Sequence, residues 1–304
     1  MAKDGDEIEI AGVRLTSPDK VLYPEQSITK RQLAEYYLAV AEAMLPHVAR
    51  RPITLVRCPT GRQRKCFYQR HAGSGVPSEL GEVDIPGFEE SGAYLFIKDA
   101  PGLVALVQMG VLEVHPWGAR VDKPDRPDRV IFDLDPGQGI DWARLLEATA
   151  LMKQMLDLLE LESFLKTSGG KGLHVVVPLT PKEGYDEVKD FAREVVVHMA
   201  RTIPQLFVAK SGAQNRVGRI FIDYLRNGTG ATTVAAFSAR ARPGLGVSVP
   251  VAWSALESLA SASQWNIFNV LEHLARGRAD PWKAYAKTRQ TLTPARKKMV
   301  SGSK

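Results

Sequence analysis

The sequence predicts an α/β or α+β protein built on a mixed sheet. Apolar residues recur every three or four positions in some stretches and alternate in others, the two patterns interleave, and some neighbouring strands are close enough for hairpins. The 304 residues shift little in composition, so the chain reads as one large domain over 1–290, or two closely packed lobes, with a basic flexible tail or linker over 291–304.

In order, the turn Ser17-Pro18-Asp19 precedes a helix with Ser27 or Thr29 as N-cap and Leu33, Tyr36, Tyr37, Val40 and Met44 at helical spacing. "PITLVRC" leaves a proline as a strand, and "GRQRKCFYQRH" is a basic turn with two adjacent aromatics. "AYLFIKDA" alternates like a strand, and "GLVALVQMGVLEVHPW" is an apolar helix running into a strand that ends near His115. The strand "RVIFDLDPG" comes next, then a helix from Trp142 to about Leu159. "SFLKTS" and "LHVVVPL" are strands joined through "GGKG"; the helix "YDEVKDFAREVVVHMARTI", a basic loop and the strand "RIFIDYL" follow.

A hydrophobic fraction of 44% and a charged fraction of 24% exclude a disordered or fibrous chain, and no apolar run reaches the roughly 18 residues of a membrane span. The charged start "MAKDGDEIEI" is unlike a secretory signal, and the only two cysteines, Cys58 and Cys66, suit a reducing compartment; the expected location is cytoplasmic. Lysine and arginine number 40 against 34 acids, a mild excess whose distribution says more. No acid lies between Glu42 and Glu79, and from Val195 to Leu256 seven cations accompany a single acid, Asp223. Long one-sign segments in a nearly balanced chain favour phosphate recognition over chance clustering of solvated charge.

Asp133 and Asp135 sit one residue apart in an apolar strand and so share a face. Two such carboxylates raise each other's pKa unless something positive compensates, and a hard divalent cation, magnesium or manganese, suits oxygen ligands. The Pro136-Gly137 turn would open the strand end to a ligand; equally, Asp135-Pro136-Gly137 reads as a plain turn. Asp223 is a third ligand on a neighbouring strand, or a structural partner of Arg219 or Arg226. Three inward carboxylates facing basic loops are what is needed to hold two cations about 3.5–4 Å apart for nucleotidyl transfer. The loop "TSGGKGLHVVV" supplies amide N–H groups and Lys171 for phosphate, or is a flexible hairpin; it lacks the Walker A spacing.

"DLD" at 133–135, "SGGKGLH" at 168–174, "FIDYLRN" at 221–227 and "SAR" at 238–240, in that order, resemble the polymerase domain of bacterial ligase D, of the archaeo-eukaryotic primase superfamily. The resemblance runs from "LTSPDKVLYP" to about "DPWKAY". It implies a primase-like fold, a central mixed sheet flanked by helices, and nucleotide addition, ribonucleotides preferred, templated and in part untemplated, at gaps and broken ends in non-homologous end joining. Asp133, Asp135 and Asp223 would bind two manganese or magnesium ions. Ser168, Lys171, His174, Arg226 and Arg240 would bind the nucleoside triphosphate, and His115 matches a histidine near the catalytic centre, unless its neighbour Pro116 marks a structural turn. Lys20 and Lys30 align with a pair that recognises a downstream 5′-phosphate. Beside that resemblance, Phe67 and Tyr68 among Arg62, Arg64, Lys65 and Arg70 fit base stacking beside backbone contacts, with one aromatic expected in the core. Arg216 is a candidate for template contacts or a solvated loop residue. Partners implied are gapped or 5′-phosphorylated DNA, nucleoside triphosphates, Ku and a ligase domain, at the nucleoid.

Two rivals stand beside this reading. "VIFDLDPG" is similar to the opening strand of haloacid-dehalogenase phosphatases, where Asp133 would be a nucleophile, but position 137 is glycine where threonine or valine belongs. A non-catalytic nucleic-acid-binding module would explain the basic segments and leave the three carboxylates facing phosphate without purpose.

Overall fold

The computed structural model of the chain describes residues 7–88, 92–276 and 280–302. Residues 1–6 of the charged start and 303–304 of the expected tail lie outside them. Contacts divide the chain into two compact units, each assembled from separate stretches: unit 1 takes 1–117, 233–248 and 265–276, and unit 2 takes 118–232, 249–264 and 277–304.

Unit 1 opens with strands β1 (Ile8–Ile10), β2 (Val13–Leu15), β3 (Val21–Tyr23) and β4 (Ile28–Thr29), then helices α1 (Lys30–Ala39) and α2 (Ala41–Val48). Thr29, the second of the two expected caps, closes a capping box: its Oγ1 accepts from Gln32 N–H at 3.3 Å, and Gln32 Oε1 accepts from Thr29 N–H at 2.9 Å. β5 (Ile53–Arg57), β6 (Phe67–Gln69), β7 (Leu80–Val83), β8 (Tyr94–Ile97), helix α3 (Ala100–Gln108) and β9 (Val111–Pro116) follow. β6, β5 and β9 form an antiparallel three-stranded sheet in that order, while β1–β2, β3–β4 and β7–β8 are two-stranded. Cys58 and Cys66, expected to suit reducing conditions, are joined in a disulfide. Their spacing in sequence hides the reason: Arg57 pairs with Phe67 across β5 and β6, so the next position outward sets the two cysteines opposite each other, with Cα atoms 4.4 Å apart.

Unit 2 holds β10 (Arg129–Pro136), α4 (Trp142–Leu158), β11 (Phe164–Thr167), β12 (Leu173–Pro178), α5 (Tyr185–Thr202), β13 (Phe207–Val208), β14 (Ile220–Asp223) and β15 (Pro250–Val251). They make one six-stranded sheet, ordered β13-β14-β10-β12-β11-β15, antiparallel throughout save for β13–β14, so the sheet is mixed as expected. β10 lies inside it with its first six residues buried, which is why it reads as a nearly unbroken apolar run. α4 starts where the Asp141 carboxylate accepts from Arg144 N–H at 2.8 Å, and α5 where Gly184 N–H donates to Glu187 Oε2 at 2.7 Å. β14 pairs with β10 only from Asp133 onward, and Asn227 extends the ladder: its side chain accepts from Ile131 N–H at 2.7 Å and donates to Ile131 C=O at 2.8 Å.

Two short helices complete the chain, α6 (Val270–Arg276) in unit 1 and α7 (Leu292–Gly302) in unit 2. The second corrects the flexible tail expected from residue 291: Leu292 and Ala295 are buried, Leu292 N–H donates to Glu183 at 3.1 Å and Arg296 donates to Glu187 C=O at 2.6 Å. Two apolar contacts on one turn are enough to dock a helix and too few to show as a period. No helix among the described residues is long and apolar enough to cross a membrane.

Candidate active site

The sheet of unit 2 lines up four ionisable residues. Asp133 on β10 pairs with Asp223 on β14 to one side and with His174 on β12 to the other, and His174 pairs with Lys166 on β11. Directly opposed residues share a face, so these side chains form one row across four strands, with Asp135 two residues along β10 on the same face. Asp133, Asp223, His174 and Lys166 are all buried.

The cations meet the acids directly. His174 Nε2 lies 3.2 Å from Asp133, Arg226 Nε lies 3.0 Å from Asp223 and 3.8 Å from Asp133, and an Arg216 terminal nitrogen lies 3.3 Å from Asp135. Of the two partners open to Asp223, Arg226 is the one used; Arg219 donates to Asn215 C=O at 2.8 Å. Burial would raise Asp133, but the His174 charge and hydrogen bond, then Arg226 and Lys166, outweigh it and hold the carboxyl low. Asp135 moves the other way, pushed up first by burial and then by Asp133, and Asp223 is raised by burial against the pull of Arg226. The cluster therefore binds positive charge more readily than it bears three bare anions.

As the side chains stand, no three metal-ligating groups among the described residues converge on one point; the guanidiniums lie on the carboxylate oxygens instead. The donors still fit a hard divalent cation in kind, three carboxylate oxygen pairs with Asp135 and Asp223 carrying raised pKas.

Glycines set this geometry. A Cβ on Gly137 would come within 1.6 Å of Arg216 C=O, and Gly137 N–H donates to Arg219 C=O at 2.9 Å, so the "DPG" segment seats the 216–219 loop against the acids instead of opening the strand end. Arg216 is thereby a partner of Asp135, half-exposed, and not a free loop residue. A Cβ on Gly172 would reach 2.4 Å from Leu134 C=O, so glycine is needed where β12 starts beside β10.

The loop before β12 differs from its expected use. Ser168 Oγ accepts from the N–H groups of Gly170 at 3.1 Å and Gly172 at 3.2 Å, and Gly169 N–H donates to Ala262 C=O at 3.0 Å. Those three amides are engaged within the unit, the Ser168 oxygen accepts twice, and Lys171 is exposed.

Unit 1 carries the other expected residues. His115 on β9 meets Glu113, with Nε2 at 2.7 Å, and Arg240 Nε meets the same carboxylate at 3.1 Å. Lys30 is buried; its ammonium donates to Thr16 C=O at 2.8 Å and to Gln108 at 2.7 Å, while the exposed Lys20 donates to Pro59 C=O. Phe67 and Tyr68 are 41% and 72% exposed, so neither packs in the core as one was expected to: β6 is an edge strand, and Arg57 covers the Phe67 ring at 5.4 Å to its centroid. Arg64 is exposed, whereas Arg62 is drawn into an ion pair with Glu25. Glu113, Lys166, Gln108 and Asn227 were not among the expected residues; a charged residue inside an apolar alternating strand is the signal that marks the first two.

Comparison with known proteins places these features in context. Residues 29–282 match the model of the LigD primase-polymerase domain. The multifunctional non-homologous end joining protein LigD of Pseudomonas aeruginosa is 45% identical over 294 residues, 95% of this chain and 35% of that protein. Its counterpart in Mycolicibacterium smegmatis is 36% identical over 79% of this chain and 32% of that protein, so the chain spans about a third of these curated relatives. The solved polymerase domain from Mycobacterium tuberculosis ligase D in complex with DNA superposes with a TM-score of 0.83 at 32% identity, covering 90% of this chain and 98% of the other. With its mixed sheet, its row of acids and these matches taken together, the chain belongs to the LigD primase-polymerase domain family.

Proposed function

We propose that the chain is a nucleotidyltransferase that adds nucleotides, ribonucleotides by preference, to a primer 3′-hydroxyl at gaps and broken DNA ends. The observation that carries this reading is the Asp133–Asp223 pair with Asp135 beside it, three carboxylates gathered on one face of the sheet, with burial raising Asp135 and Asp223. Asp133, Asp135 and Asp223 would hold two divalent ions, manganese or magnesium, once Arg216 and Arg226 release them. Bound there, the ions would lower the pKa of the 3′-hydroxyl and draw charge from the triphosphate. In the reaction the 3′-oxygen bonds to the α-phosphorus, the α–β phosphoanhydride bond breaks and pyrophosphate leaves.

The chain's own side chains serve the triphosphate: Lys171 as an exposed point charge, Ser168 through its hydroxyl, His174 fixed by Asp133, and Arg226 when it leaves the carboxylates. Arg240 is a further candidate triphosphate contact, and His115 is a candidate for the reaction. Lys20 and Lys30 recognise a downstream 5′-phosphate, Arg62 and Arg64 the backbone, and the exposed rings of Phe67 and Tyr68 supply faces for bases to stack on. Arg216 is assigned to template contacts once it leaves Asp135. Ku and a ligase domain are the proposed protein partners, in the cytoplasm at the nucleoid.

Primer extension on a gapped duplex with a 5′-phosphate, with manganese and either ribo- or deoxyribonucleotides, tests this. The parent chain should extend and Asp133→Ala should lose extension by about a thousandfold or more, with manganese binding by calorimetry weakened in the same variant. Hydrolysis of a small phosphomonoester without extension would instead favour a phosphatase.

A further inference from the structure

Glu113 lies on β9 two residues before His115, so both side chains leave the same face of the strand. It is 5% exposed, and its two oxygens take two hydrogen bonds and an ion pair: Oε2 accepts from His115 Nε2 at 2.7 Å and lies 3.1 Å from Arg240 Nε, and Oε1 accepts from Ala241 N–H at 2.6 Å. Burial alone would push such a carboxyl up, but the His115 hydrogen bond, the Arg240 charge and the Ala241 amide hold it at about 2. A permanent anion in this position is costly to bury, and an apolar side chain of the same size would fill the space without that cost.

The backbone around it has other supports. Ser238 Oγ accepts from Val114 N–H at 3.0 Å, and the Tyr37 hydroxyl accepts from Ala239 N–H at 3.3 Å while donating to Leu112 C=O at 3.0 Å. The "SAR" segment is thus tied to β9 before Glu113 is counted. What the carboxylate adds is direction to two side chains that come from distant parts of the sequence. Being an anion, it can only accept, so His115 Nε2 carries a hydrogen in either protonation state of the ring.

We infer that Glu113 is a positioning residue for nucleotide addition, one carboxylate that locks the His115 ring and the Arg240 guanidinium into a single preorganised pair. This rests on the function proposed above, in which Arg240 contacts the incoming triphosphate and His115 serves the reaction. In E113Q the amide presents an N–H where two donors arrive, so the pair splays while the residue's volume is kept.

Steady-state addition of one nucleotide to a gapped duplex tests the inference, using E113Q, E113D, H115A and the E113Q/H115A double variant. The expected result is a KM for the triphosphate raised about tenfold or more in E113Q, partial recovery in E113D, and a double variant within about twofold of H115A alone, because the two substitutions remove the same arrangement. Affinity for the 5′-phosphorylated duplex should stay at the parent's value. An E113Q chain with the parent's KM and kcat, a defect that adds in full to that of H115A, or a parallel loss of DNA affinity would overturn it. Should E113Q fail to fold, E113D carries the same comparison. If the parent itself adds no nucleotide, the proposed function fails, and the imidazole ¹⁵N shifts of His115 still decide the positioning: an Nε2–H signal lost in E113Q supports it, and an unchanged signal in E113Q sinks it.

Discussion

Lys30 is a cation kept where a cation is expensive. Burial first and the charge of Lys20 second draw its pKa down from 10.5 to about 8. Between those two values the unfolded chain holds a proton that the folded chain has released, so this residue makes stability rise with pH from about 8 to 10.5 and weighs against folding below it. In the function proposed here its grip on a 5′-phosphate would follow the opposite course, since the charge that attracts the phosphate is lost above about 8. The affinity advantage of a 5′-phosphorylated over a 5′-hydroxyl gapped duplex should therefore shrink as pH climbs through that value, and an advantage that stays flat would count against Lys30 as the contact. Nothing in the sequence displays this, because a lysine at a helix start looks solvated until Thr16 and Gln108 are seen to enclose it. The three aspartates were legible for the converse reason: an acid inside an apolar alternating run demands a partner wherever the strand ends up. Glu113 in "VLEVHP" and Lys166 in "SFLKTS" obey the same rule, and each is masked by a neighbour, His115 or the glycine loop, with a more familiar chemistry.

At the scale of elements, the long strands and helices could be read from their periods, and the order of strands in the sheet could not. Alternation puts Asp133 and Asp135 on one face, but only the pairing of β10 with β14 brings Asp223 opposite Asp133. Strands of two to four residues such as β1, β4, β7 and β13 carry too few positions to show a period, and they went unread. Asn227 shows how the sheet completes itself where a strand falls short. Replacing it by alanine leaves Ile131 N–H and C=O buried without those hydrogen bonds, a loss of about 2 kcal/mol or more. Urea unfolding should report that shift in midpoint; a change under about 0.5 kcal/mol would mean that water or a slipped β14 replaces the amide.

At the scale of the whole molecule, unit 2 carries the row of acids and unit 1 carries one long acid-free, cation-rich span. The acid-free span between Glu42 and Glu79 includes the Cys58–Cys66 bridge, with Arg62, Arg64 and Lys65 inside its loop and Phe67 and Tyr68 just beyond it. A bridge of sequence separation 8 narrows the unfolded ensemble by about 2–3 kcal/mol. The thermal midpoint should fall in a C58S/C66S variant and, for the parent, on adding reductant; a parent midpoint indifferent to reductant would show that the thiols are not joined in solution.

The chain passes from one unit to the other near residues 117, 232, 248, 264 and 276. No single scission can free either half intact: a fragment ending at 117 loses the stretch bearing Ser238 and Arg240, and one covering 118–232 loses β15 and α7. A chain cut back to either half as one continuous stretch would therefore have an incomplete core.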